Sequence, residues 1–85
     1  MAISSLVVDA LPDSLDEVTA ALDAIDGVEV QGTDTTTGRI VVTIEAPNID
    51  VSHKIASGFI EIPHVFNVNL VFVSVEDELE DAKEG

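Results

Sequence analysis

Residues 4–10 read SSLVVDA. As an extended strand, this stretch places Ser4, Leu6 and Val8 on one side and Ser5, Val7 and Asp9 on the other, because successive side chains alternate. The first set suits a core wall. The second sets a valine between a hydroxyl and a carboxylate, which suits neither a dry core nor an ordinary wet surface. A sheet with one packed face and one exposed, mixed face is the arrangement that accommodates both sets.

The rest of the chain supplies partners for such a strand. LPDSLDEVTAALDAIDG (residues 11–27) carries Leu15, Val18, Ala21, Leu22 and Ile25 at helical spacing. Pro12 precedes or opens its first turn, Ser14 and Glu17 have the spacing of a capping box, and Gly27 is a natural stop. VEVQGTD follows with Val28 and Val30 alternating against Glu29 and Gln31, and residues 32–38 are expected to turn. GRIVVTIEA then sets Ile40, Val42 and Ile44 against Arg39, Val41, Thr43 and Glu45, close enough to the preceding strand for an antiparallel hairpin. Pro47 with Asn48 or Asp50 opens a second helix, expected from Ile49 to Glu61, with Val51, Ile55 and Phe59 or Ile62 turned inward and Pro63 ending it. HVFNVNLVFV is read as a last strand with Phe66, Val68, Leu70 and Phe72 on the core face and Asn67, Asn69, Val71 and Val73 opposite.

The order is βαββαβ, and IDGVEV and IPHVFNV occupy matching places in its two halves. Right-handed crossovers turn that order into an α+β, ferredoxin-like fold: a four-stranded antiparallel sheet, order 4-1-3-2, with both helices on one face. The first and third strands are then central, and Val7 and Val41 meet at the middle of the uncovered face. Around them lie Asp9, Glu29 and Glu45, with Ser5, Thr43, Asn67 and Asn69 as hydrogen-bonding groups and Val71 and Val73 on the neighbouring edge. Residues 1–75 are expected to form this single domain, and residues 76–85, EDELEDAKEG, to be a disordered acidic tail.

Composition narrows the chemistry. Seventeen acids face three lysines and arginines, a net charge of −14, so the surface repels nucleic acid and anionic membranes and attracts basic partners. Without cysteine, disulfides, thiolate zinc sites and iron–sulfur clusters are excluded. No apolar run approaches the ~20 residues of a spanning helix, and no basic, then apolar leader opens the chain, so a cytoplasmic protein without membrane insertion is expected. His53 and His64 lack metal-ligand spacing, GTDTTTG is no phosphate loop, and Arg39 alone makes no anion-activating site. No catalytic residues, metal or cofactor are expected, and the chain reads as a binding protein, a monomer or weak homodimer. The open face suits a basic, amphipathic segment, with valines supplying contact and acids attraction and orientation.

SSLVVDA, a helix ending DAIDGVEV, the strand GRIVVTIEA, and HVFNVNLVFV before an acidic tail together resemble the NapD family over roughly Ile3 to Val75. The order and spacing of these stretches carry the resemblance, and His64 departs from it where the family usually has glycine. The resemblance implies the ferredoxin-like fold and a cytoplasmic chaperone. Such a chaperone binds the twin-arginine (Tat) signal peptide of NapA, the catalytic subunit of periplasmic nitrate reductase, and restrains export until its molybdenum cofactor is loaded. The residues expected to receive that peptide are Ser5, Val7, Asp9, Glu29, Val41, Thr43, Glu45, Asn67, Asn69 and Val71. A small-molecule regulatory domain of the ACT type shares βαββαβ and is the alternative.

Overall fold

In a computed structural model, which describes residues 1–75, the elements follow the expected order. They are β1 (Ala2–Ala10), α1 (Leu15–Asp23), β2 (Val28–Asp34), β3 (Arg39–Ala46), α2 (Ile49–Phe59) and β4 (Val65–Val75). The sheet is antiparallel with strand order β2-β3-β1-β4, the order expected. The expectation for residues 76–85 lies outside the described residues.

The core is aliphatic because the sequence offers little else. Leu6, Val8, Ile40, Val42 and Ile44 from the central strands pack against Leu15, Val18 and Leu22 of α1 and Phe59 of α2. Ser4 also lies on this packed face, and its hydroxyl meets that of Ser52 on α2 at 2.8 Å, so two buried polar groups satisfy each other. That pairing turns α2 away from the expected register: Ser52 is buried while Val51, expected inward, is exposed. Phe59 is buried and Ile55 and Ile62 are half-buried, as their spacing requires.

The helix entries differ from each other. Asn48 caps α2, its side chain accepting from the Val51 amide at 2.9 Å. Ser14 and Glu17 form no capping box. Residues Pro12–Ser14 instead make a 3₁₀ turn, closed by the Ser14 amide on the Leu11 carbonyl, and the Ser14 side chain makes no cap bond. Helix α2 also ends at Phe59, short of Glu61, in a turn sequence that leads to Pro63.

Two strands depart from simple alternation. In β2 the register with β3 shifts between Val30 and Gly32, which makes Gln31 an extra residue and carries the strand on to Asp34. The expected 32–38 turn is thereby shortened. The Asp34 carboxylate holds it by accepting from the Thr36 amide at 2.9 Å. In β4 the register with β1 shifts twice, beside Phe66 and beside Val71. Leu70 pairs with Leu6, but Phe72 pairs with Ser5 and Val73 with Ser4. The bulge therefore reverses the expected faces beyond Leu70: Phe72 joins the open face and Val73 the helix side. Phe66 and Phe72, both expected in the core, are 60 % and 57 % exposed.

Candidate functional site

The helices cover one face of the sheet and leave the other bare. On the bare face, Val7 and Val41 are direct cross-strand partners at the centre, with Val7 half-buried and Val41 40 % exposed. From there the face extends toward each end of the strands. One direction runs through Ser5 beside Thr43 to Ile3 beside Glu45, and the other reaches Asp9 beside Arg39. On the β4 side, Asn69 lies beside Val7 and Asn67 beside Asp9. Val71 and Phe72 together oppose Ser5, the two-against-one count of a bulge. Glu29 lies beside Thr43 from β2.

The acids on this face are not equivalent. Asp9 is enclosed: its side chain is 12 % exposed, one carboxylate oxygen accepts from Arg39 Nε at 3.1 Å, and the other accepts from Asn67 Nδ2 at 3.2 Å. Arg39 remains 60 % exposed. Asp9 is thus paired with the chain's own guanidinium. Glu29 and Glu45 are exposed and, with Thr43, Val28 and Gly27, line a hollow of ≈ 250 Å³ at the opposite end of the face. Gln31 donates to Glu29 Oε1 at 2.7 Å and to Thr43 Oγ1 at 3.0 Å, tying that rim together.

Nine of the ten expected residues occupy register positions of one open face, and Val71 sits in the bulge at its edge. Sequence reading did not place Arg39, Gln31 and Phe72 at the site. Arg39 was legible in principle, since it opens the strand that must pair antiparallel with SSLVVDA and so meets Asp9. Gln31 shares the side of Glu29 by plain alternation, whereas Phe72 depends on a bulge that no residue spacing announces. Among the described residues no group of three His, Cys, Asp or Glu could hold a metal ion, and no helix is long and apolar enough to cross a membrane.

A family model described as "NapD protein" matches residues 1–77. Among solved structures, the solution structure of the E. coli Tat proofreading chaperone protein NapD superposes with a TM-score of 0.80 at 26 % identity, covering 89 % of this chain and 80 % of that one. The crystal structure of a hypothetical protein from Pyrococcus horikoshii superposes with a TM-score of 0.71, covering 88 % of this chain and 90 % of that one. At 14 % identity it speaks to the fold alone. No curated protein matches the sequence.

Proposed function

Because the chain belongs to the NapD family, we propose that it is a cytoplasmic chaperone. Its ligand is the twin-arginine signal peptide of NapA, the catalytic subunit of periplasmic nitrate reductase. Family membership and the likeness to the E. coli proofreading chaperone support a chaperone role. The observation that carries the finer reading is the open face itself, where the Val7–Val41 pair forms an apolar centre flanked by an exposed carboxylate pair. A signal peptide of this class offers adjacent arginines and an apolar stretch, which is the complementary pattern.

In this reading the residues of the open face have unequal parts. Val7, Val41, Val71 and Phe72 provide apolar contact, while Ser5, Thr43, Asn67 and Asn69 offer hydrogen bonds along the strands. Glu29 and Glu45 receive the arginines, because their carboxylates are exposed and Asp9 is already engaged. A guanidinium bound to a carboxylate forms a charge-assisted bond worth ~1.5–3 kcal/mol when partly desolvated. Holding the peptide on this face keeps it from the export machinery. The protein acts by binding and release, and no bond is made or broken.

The test is isothermal titration of the protein with a NapA-type twin-arginine peptide and with a scrambled peptide of the same composition. The native order should bind more tightly by at least tenfold, roughly the ~1.4 kcal/mol that one well-placed contact supplies. Equal affinities would reduce the interaction to attraction between opposite net charges and overturn the reading.

A further inference from the structure

The two edges of the sheet are built differently. The β2 edge is seven residues long, bulged at Gln31, and carries Glu29 and Asp34. These are the usual devices that keep an edge from pairing with another chain. The β4 edge is eleven residues long, VFNVNLVFVSV, and is the only strand of the sheet without a charged residue. It contains neither lysine nor proline, and its two bulges bring no charge to it. Leu70, opposite Leu6 on the helix side, is nevertheless 61 % exposed, because α2 packs over β1 and β3 and reaches β4 only at its margin. What remains there is a groove of ≈ 470 Å³ between α2 and β4, walled by Ile49, Ile60, Val68, Leu70 and Val73. Among the described residues no carboxylate lines it.

We infer that the β4 edge is a self-association surface whose occupant is β4 of a second copy, paired antiparallel about a two-fold axis. Charge favours this edge. Two chains of net charge −14 repel, and among the described residues β4 with its groove is a stretch of edge to which neither copy brings an acid. Strand pairing satisfies the free backbone groups of both edges, and each copy's Leu70 and Val73 meet the apolar groove wall of the assembly. The symmetry closes: the resulting eight-stranded sheet ends on both sides in β2, whose acids oppose further addition. Both open faces stay free.

The size of the contact sets its strength. An eleven-residue strand is roughly 36 Å long, and a strip about 10 Å deep along it buries roughly 700 Å² from both copies together, below the ~1,200 Å² of stable complexes. The dimer is therefore weak and reversible. Salt strengthens it by screening the repulsion between copies, the opposite of its effect on a basic ligand.

Sedimentation equilibrium of the intact protein across a concentration series, at low and high sodium chloride, tests this. A monomer–dimer equilibrium that shifts toward dimer with concentration and with salt is expected. Leu70→Lys should abolish it although the substitution lowers the net repulsion, and circular dichroism should show the variant folded, since Leu70 is largely exposed. Asp34→Lys, on the other edge, should leave the dimer intact or tighten it. A monomer under every condition overturns the proposal. So does a dimer lost with Asp34→Lys and kept with Leu70→Lys, which would place the contact on β2. A dimer indifferent to Leu70→Lys, with peptide affinity lost instead, would assign the groove to the peptide.

Discussion

Gly27 and His64 stand at the same place in the two halves of the fold, immediately before β2 and one residue before β4. Both adopt left-handed backbone, with φ of 84° and 77°. The shared conformation has unequal consequences. A Cβ on Gly27 would lie 2.7 Å from the Glu45 carbonyl oxygen, where the chain passes close enough for the Glu45 amide to donate to the Gly27 carbonyl. Gly27→Ala should therefore destabilise the domain by ~2 kcal/mol or more, adding a clash to the ~1–2 kcal/mol cost of left-handed backbone. His64 already bears that cost. Replacing it with glycine should raise the urea midpoint, with a gain of ~0.5–1 kcal/mol after the added freedom of the unfolded chain is subtracted. If His64→Gly lowers the midpoint, side-chain interactions such as that with Glu17, at 3.9 Å, outweigh the backbone strain. The resemblance leads to the expectation of a glycine at this position. Its φ is the reason a glycine suits that position.

At the level of the strand, face assignment is the claim most open to error, because a slip of one residue exchanges packed and exposed sides. The register of β1 places Leu6 in the core and Val7 on the open face. Leu6→Glu should unfold the domain, since an unpaired carboxylate buried among aliphatic side chains costs several kcal/mol. Val7→Glu and Val41→Glu should fold normally and lose the signal peptide. Phe72→Asp should behave like Val7→Glu, although simple alternation along β4 would count Phe72 with the core. Circular dichroism separates unfolding from lost binding, and an unfolded Phe72→Asp variant would remove the bulge from the account. Alternation was readable in β3, where each buried residue has an exposed or half-buried neighbour, and in β1 from Ala2 to Val8. In β4 the run Leu70-Val71-Phe72-Val73 is apolar throughout, so nothing in it signals where the count changes. The same holds for α2, where hydropathy favoured Val51 and the Ser4–Ser52 bond chose Ser52 instead.

Across the molecule, the described acids lie on both the helices and the sheet, while the proposed ligand site uses only a few of them. Neutralising Glu29 and Glu45 together should weaken the twin-arginine peptide at least tenfold, since ~1.4 kcal/mol is tenfold and one partly desolvated contact of ~1.5–3 kcal/mol already supplies it. Asp16→Asn with Asp23→Asn removes the same charge from α1, on the other side of the sheet, and should leave affinity nearly unchanged. Asp9→Asn should lower stability more than binding, because its carboxylate already serves Arg39 and Asn67. Titrations at increasing salt should show affinity falling for the wild-type protein and falling less for the Glu29/Glu45 variant. Equal losses from the α1 pair would make total charge the cause and dissolve the site.

Order of elements, strand order, the aliphatic core and the position of the Val7–Val41 pair are all readable from the chain. Each follows from local periodicity together with the handedness of crossovers, and both act on a stretch and its neighbours in sequence. The charge state of the open face is another matter. Whether Asp9 is free or held depends on Arg39 and Asn67, thirty and fifty-eight residues away, and on a register with an extra residue in β4. The place of Phe72, the burial of Ser52 and the uncovered edge of β4 have the same origin. They are set by how far a helix reaches across a sheet and where a strand slips by one, quantities that exist only when distant segments are packed together.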